Sequence, residues 1–402
     1  MIEMIEKLRK NIDEGELIQI IKDMVSIPSC SGIEGQETDV AKYIHEFFQK
    51  EGIESEIIPV VNGRSNVVAR LKGSGNGKTL LLTGHTDTVP PYDMKDAFNA
   101  RIDDGKLIGR GTVDMKGPLA CMMLALAGLK RAEIPLKGDV VFAGVIDEEE
   151  KSEGTIHLLQ SGITADLAIV GEPSEMNICV AHRGLEWFEI FFQGKTVHGG
   201  KQKEGINAIM MASRFIQRVE EKLLPLIESR IHPVIGTSSM NYGYIHGGLQ
   251  PSTVAGECTL QIDRRWVPGE KYSDIIKEYS QILEELHQGD PKFNAQLKVM
   301  DVSVMAEGYI HEAMEIDLKN PAIDVISKAI EAAAGRIPEK LPFTAWSDGG
   351  LLSSYGKIPT VILGPGNLES AHSPEEYIEI SQLIPAALTY AVIAYRLCGE
   401  EK

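Results

Sequence analysis

The stretch Leu80-Leu81-Leu82-Thr83-Gly84-His85-Thr86-Asp87-Thr88-Val89-Pro90 decides the fold. An apolar run ends at a glycine, and a histidine and an aspartate follow, two residues apart. The run has the length and character of a buried strand, and Pro90-Pro91 ends it. His85 and Asp87 then sit just past the carboxyl end of a strand. In open α/β sheets that edge is where ligands bind.

Working outward, three more apolar runs have the same form. Val140–Ile146 ends in Asp147-Glu148-Glu149-Glu150, Leu167–Val170 ends in Gly171-Glu172-Pro173, and Pro359–Leu363 is followed by Gly364-Pro365-Gly366 and His372. Between them, Pro118–Ala132 is nearly all apolar and predicts a helix buried against the sheet. Asp114 falls just before that helix, where the dipole favours an anion. Helical spacing recurs within residues 1–50, first in Leu17, Ile20, Ile21 and Met24, then in Val40, Ile44 and Phe48. A last helix is expected from about Pro385 to Leu397. Strand and helix alternate, which predicts an α/β fold with a mostly parallel sheet and helices on both faces.

The pattern changes near Ala181. A strand at Trp187–Gln193, a helix over about 206–228, strands near 240–245 and 253–262, a helix over 270–286 and a strand at 295–302 follow. That order, β-α-β-β-α-β, predicts a smaller α+β ferredoxin-like domain. The expected organisation is a catalytic metal-binding domain, 1–181 and 312–402, interrupted by a lid or dimerisation domain, 182–311.

Composition bounds the function. A chain of 402 residues is too long for one ordinary core. A net charge of −18 argues against nucleic acid or an anionic membrane as partner. Cys30, Cys121, Cys179, Cys258 and Cys398 are scattered and form no C-x-x-C pair, so no disulfide framework and no thiolate metal site is expected. The first ten residues mix both charge signs and lack a signal peptide's apolar core, and no window is read as approaching the ~20 apolar residues of a membrane span. A cytoplasmic location is expected.

His85, Asp87, Asp114, Glu148, Glu149, Glu172 and His372 converge on one sheet edge. Each alone has an ordinary reading, as a cap or a solvated helix start. Together they offer oxygen and imidazole donors, which suit zinc, and also cobalt or manganese. Two histidines and three carboxylates exceed one tetrahedral zinc. They fit two ions about 3.5–4 Å apart with one carboxylate bridging. A water held between two cations loses its proton near neutral pH, and a carboxylate beside it serves as general base. Glu148 and Glu149 are adjacent, so one can be ligand and the other base, in an order the spacing leaves open.

At these residues the chain resembles the acetylornithine deacetylase, succinyl-diaminopimelate desuccinylase, aminoacylase and glutamate carboxypeptidase family of co-catalytic zinc metallopeptidases. The matching stretches are Gly84–Pro90, Gly109–Gly117, Asp147-Glu148-Glu149, Gly171-Glu172-Pro173, and Gly364-Pro365-Gly366 with His372. The resemblance implies a metal-dependent hydrolase of amide or peptide bonds. It implies that His85 and Glu172 bind one ion, Glu149 and His372 the other, and that Asp114 bridges them through a segment with a cis Asp114-Met115 peptide. Glu148 would be the general acid/base, and Asp87 would hold the other nitrogen of His85. His198 resembles the family histidine that helps polarise the scissile carbonyl, in several members from a partner subunit. Asp263-Arg264-Arg265-Trp266-Val267-Pro268 resembles a D-x-R-x-x-P segment, in which Arg265 would grip a substrate carboxylate, with Arg264 as the competing candidate. Gly366 and Ser252 would also contact substrate. Ser252 stands where the family often has asparagine, and Gly199-Gly200-Lys201-Gln202-Lys203 departs from the usual loop after the histidine.

The expected function is therefore a two-metal amidohydrolase that cleaves an N-acyl amino acid, of deacetylase or desuccinylase type, by attack of a metal-bridging water with Glu148 as acid/base. A carboxypeptidase or dipeptidase of the same family and a catalytically silent ligand-binding homologue are the alternatives. A homodimer paired through the inserted domain is expected, acting on a small molecule.

Overall fold

Leu80–His85 is a fully buried strand. It pairs in parallel with Val140–Val145 on one side and Leu167–Val170 on the other, and Thr360–Ile362 joins the latter, also in parallel. These four strands are buried along their whole length. Helices and loops cover both faces, so the strands are apolar throughout rather than alternating. Glu54–Val61 and Arg64–Leu71 extend the sheet antiparallel on the Val140–Val145 side.

The computed structural model describes residues 2–399. The chain divides into two compact units, Met1–Ala181 with Met314–Lys402, and His182–Ala313. In the first, Lys116–Arg131 is buried almost all round, as a helix enclosed between a sheet and other helices must be. Ile380–Cys398 and Glu14–Ser26 pack against it. On the opposite face, Leu81, Val141, Ala143, Ala168 and Ile362 pack with Leu158, Phe343 and Leu352.

Ile380–Cys398 corrects two expectations. It starts five residues before Pro385, which lies inside the helix. By length and composition it is also apolar enough to cross a membrane. Leu383, Ala386–Ala394 and Cys398 are, however, buried, and the helix packs on Lys116–Arg131 and Pro321–Ala334. Its apolar surface belongs to the core of this unit.

In the second unit, the four-stranded antiparallel sheet runs Ser239–Gly247, Glu257–Trp266, Gly184–Gln193, Ala295–Val299. That order is the ferredoxin-like one. Phe188, Ile190, Phe192, Leu260 and Ile262 face a core shared with Met211, Phe215, Ile275 and Tyr279 of the helices. The strand expected from Thr253 begins only at Glu257, because Val254 and Gly256 pair with Val197 and Gly194 instead. The helix expected over 206–228 is Ala208–Arg218, a π turn at Val219–Leu223, then Leu224–Glu228. Pro225 has no N–H to donate to Glu221, and the ladder shifts register there.

Two strand ends owe their course to glycine. A Cβ on Gly84 would lie 2.1 Å from Met115 Cε, and one on Gly364 would lie 2.1 Å from the Gly171 carbonyl oxygen and 2.6 Å from that of Glu172. The obstacle at Gly84 is the tip of a flexible side chain, and at Gly364 it is backbone. Gly364→Ala is therefore expected to lower stability by about 1–3 kcal/mol or more, the usual range for overpacking. Gly84→Ala should cost less. Chemical denaturation of the two variants checks the order.

Candidate metal centre

The parallel strands deliver their side chains to one edge. His85 is the last residue of its strand. Glu148 and Glu149 lie in the turn after Val140–Val145, and Glu172 lies two residues past Leu167–Val170. The acidic turn is held from its neighbour strand. Asn66 accepts from the Ile146 amide at 3.0 Å and donates to the Gly154 carbonyl at 2.8 Å. Arg64 pairs with Asp147 at 2.7 Å, and its Nε donates to the buried Glu37 at 2.8 Å. Asp147 itself takes φ +71°, which turns the chain sharply before Glu148.

Asp114 sits between two imidazoles. Its Oδ1 is 2.9 Å from His85 Nε2 and its Oδ2 is 3.1 Å from His372 Nε2. Glu172 lies 3.6 Å from the same nitrogen of His85, and Glu149 lies 3.0 Å from that of His372. Donor atoms of His85, Glu148 and Glu172, and separately of His85, Asp114 and Glu149, lie within 4.8 Å of one another. The Asp114-Met115 peptide is cis. Each imidazole thus pairs with its own oxygen of one carboxylate, and each has a second carboxylate beside it.

The electrostatics fit cations. Burial and the charge of Asp114 push Glu172 well above the usual carboxylate range, and burial does the same to Glu148. Burial also opposes ionisation of Asp114, but hydrogen bonds with His372 and His85 hold its pKa below the usual value. Hydrogen bonds with Asp114 and Glu149 raise His372 to about 10. Glu172 Oε1 is buried without a hydrogen-bond partner. Four carboxylates and two imidazoles crowded out of water are costly unless positive charge joins them. The oxygen and nitrogen donor set, with an orphaned carboxylate oxygen aimed inward, suits divalent ions.

Other expected residues fall differently. Asp87 does not hold His85 mainly through its side chain: its backbone oxygen is 3.0 Å from His85 Nδ1, while its carboxylate is 3.6 Å away and accepts from the Glu149 amide at 3.0 Å. Gly366, at φ +91°, gives its N–H to Gln382 at 2.7 Å. His198, Ser252 and Arg265 belong to the second unit. There the Gly199 amide donates to the Ser252 carbonyl at 2.6 Å, so the loops of His198 and Ser252 are joined, and both residues are exposed. Arg264 is fully buried and paired with Glu270 at 2.7 Å, which removes it as a carboxylate clamp. Arg265 is half-buried and pairs with Asp263 at 3.1 Å.

Two buried acids beside the centre escaped the sequence reading. Asp348 accepts from Thr155 at 2.6 Å, and burial raises its pKa to about 6. Glu376 collects backbone amides of the Asp114 segment. Ser347-Asp348-Gly349-Gly350 reads as an ordinary helix cap, and Pro374-Glu375-Glu376 as a polar loop. The order Asp-Gly-Gly before an apolar run was the one available signal for the first.

Residues 81–396 match Peptidase family M20/M25/M40. An N-formyl-4-amino-5-aminomethyl-2-methylpyrimidine deformylase of Halalkalibacterium halodurans is 30% identical, covering 100% of this chain and 99% of its own. An acetylornithine deacetylase of Photorhabdus laumondii is also 30% identical, over 96% and 99%. Among solved structures, an aminopeptidase from Bacillus cereus superposes with a TM-score of 0.79 at 24% identity, covering 95% and 98%. A dinuclear metal binding peptidase of Bacillus subtilis superposes at 0.71 with 18% identity, over 96% and 98%. With a family match spanning most of its length and the donor cluster at the edge of its parallel sheet, the chain belongs to Peptidase family M20/M25/M40 and is a metal-dependent hydrolase of amide or peptide bonds.

Proposed function

We propose that this chain is a two-metal amidohydrolase that removes the acyl group of an N-acyl amino acid. The observation that carries the reading is Asp114, with one oxygen on His85 and the other on His372. His85 with Glu172 would hold one ion, His372 with Glu149 the other, and Asp114 would serve both. Zinc is the proposed metal, with cobalt or manganese able to replace it. When bound, the ions acidify a water and polarise the scissile carbonyl. Glu148 takes the proton of the attacking water and returns it to the leaving nitrogen. Its burial keeps the protonated form accessible, as that exchange requires. His85 is fixed in one orientation by the Asp87 carbonyl. We assign His198 to the scissile carbonyl, and Ser252 and Arg265 to substrate binding. Five buried, unpaired cysteines fit a reducing compartment, and we place the protein in the cytoplasm.

A second reading has specific support. Arg265 already faces Asp263, and two pyrimidine deformylases are 30% and 31% identical over nearly the whole chain. The substrate of this reading is an N-formyl amine without a carboxylate. A panel of N-formyl, N-acetyl and N-succinyl amino acids, dipeptides and an N-formylaminomethyl pyrimidine separates the two. On a carboxylate-bearing substrate, Arg265→Ala should raise KM about tenfold or more and leave kcat in place, in line with the loss of a charge-assisted hydrogen bond. On the formyl amine it should change neither.

Chelation should abolish turnover, and zinc, cobalt or manganese should restore it. Glu148→Gln should retain its metal and lose about 10²–10⁴ in kcat, the range for a lost acid/base. Near-wild-type turnover in that variant would remove Glu148 from the mechanism.

We also propose a homodimer through the second unit. Ser239–Gly247 is an edge strand of its sheet among the described residues. Tyr244, Ile245 and Leu249 are exposed there, with Ile209 and Met210 on the helix Ala208–Arg218. An open edge with apolar neighbours favours pairing with a second copy. Light scattering should give the dimer mass for the wild type and the monomer mass for Ile245→Asp. A monomeric wild type would end this proposal.

A further inference from the structure

His372 lies at φ +58°, four residues before Glu376, and the chain then enters the short strand Tyr377–Glu379. That strand pairs antiparallel with Lys106–Ile108, matching Tyr377 to Ile108 and Ile378 to Leu107. The ladder sets two segments side by side, one leading back to His372 and one leading on to Asp114. At its end the Gly109 amide donates to the Glu376 carbonyl at 3.1 Å.

The Glu376 side chain continues the connection. The residue is fully buried. Its Oε1 accepts from the backbone amides of Gly111 at 2.9 Å, Val113 at 3.1 Å and Asp114 at 3.2 Å. Its Oε2 accepts from the guanidinium of Arg110, also fully buried. One carboxylate thus fixes three amides within a four-residue span, through charge-assisted bonds stronger than neutral ones. The last of the three belongs to Asp114 itself. The other backbone hydrogen bonds within this span close short turns, Thr112 to Gly109 at 3.2 Å and Lys116 to Gly111 at 2.8 Å. Neither ties it to the His372 segment.

From this geometry we infer that Glu376 is a positioning residue for the metal centre, holding Asp114 at a set distance from His372. It touches neither donor side chain. It acts through the Asp114 backbone on one side and through its own chain on the other. Its effect falls on the ion held by His372, Glu149 and Asp114, because the Asp114-to-His372 spacing is the one it spans. The ion held by His85 and Glu172 also shares Asp114, but its other two donors stand at the ends of Leu80–His85 and Leu167–Val170, outside the two segments that Glu376 joins. The inference rests on the two-metal reading above.

Titration of the metal-free full-length protein with Co²⁺, followed by calorimetry and by the visible d–d spectrum, tests it. Glu376→Gln keeps an oxygen for the amides and removes the charge opposite Arg110. The wild type should bind Co²⁺ in two steps. The variant should keep one and lose about 10–100-fold in the other, the effect typical of groups that orient metal ligands. At limiting Co²⁺ its kcat should fall with KM unchanged, and excess Co²⁺ should restore it. Glu376→Asp, which keeps the charge on a shorter arm, should show the same selective loss and stands in should the glutamine variant not fold. Two unchanged steps would overturn the inference. So would equal weakening of both steps together with lost near-ultraviolet dichroism, the mark of a purely structural role. A wild type that takes up no Co²⁺ would overturn the two-metal reading itself, and this inference with it.

Discussion

A carboxylate buried between two imidazoles is the constraint on which the rest of this structure depends. Asp114 meets His85 on one oxygen and His372 on the other, and the two histidines lie 287 positions apart in a chain of 402 residues (372 − 85). Bringing them together requires four adjacent parallel strands to end at one edge, and both faces of those strands to be covered. The same burial makes an ion-free cluster costly, since Glu148 and Glu172 are driven toward their protonated forms. The fold creates a deficit of positive charge at this edge and little else there to relieve it.

The segment that carries Asp114 is anchored on each side. Met115 lies over the ends of two strands, where Gly84 and Gly171 leave room for its Cε. Lys116 is fully buried and donates to the Met24 and Ile27 carbonyls at 2.9 and 2.8 Å, closing the end of the helix Glu14–Ser26. Burial lowers its pKa to about 7. A buried amine with two carbonyl acceptors resists rotation, so the residue two positions from Asp114 is fixed to a separate helix. The motif Asp114-Met115-Lys116-Gly117 is thus one donor followed by its supports. Gly117 completes it, because a Cβ there would lie 2.2 Å from the Thr112 carbonyl.

Much of this was legible in the sequence for one physical reason. A parallel strand covered on both faces must be apolar throughout, so its end is marked where polarity returns. That rule locates His85, Glu148, Glu149 and Glu172. It locates His372 less directly, since nine residues separate it from Thr360–Ile362. It is silent on Asp348 and Glu376. Their partners lie at Thr155 and at Gly111 to Asp114, far away in sequence, and no periodicity marks a loop acid that folds inward. The C-terminal helix failed for the converse reason. Apolar composition alone does not distinguish a helix enclosed by protein from one enclosed by lipid, and Ile380–Cys398 satisfies both descriptions.

The pleat of one strand separates the two arginines that the sequence left as competitors. Successive side chains of a strand point to opposite faces, so Arg264 and Arg265 cannot share a role. Arg264 falls on the buried face of Glu257–Trp266 and is committed to Glu270. Arg265 falls on the other face, where Asp263, two residues earlier, points the same way and holds it. Asp263 engages the Nε–H of that guanidinium, so a substrate carboxylate would meet the terminal N–H groups with a second carboxylate already beside them. An amine that carries no carboxylate brings no second anion to that side chain. The Asp263–Arg265 pair is therefore the contact at which the two proposed substrate classes part, while the metal donors proposed for both are the same.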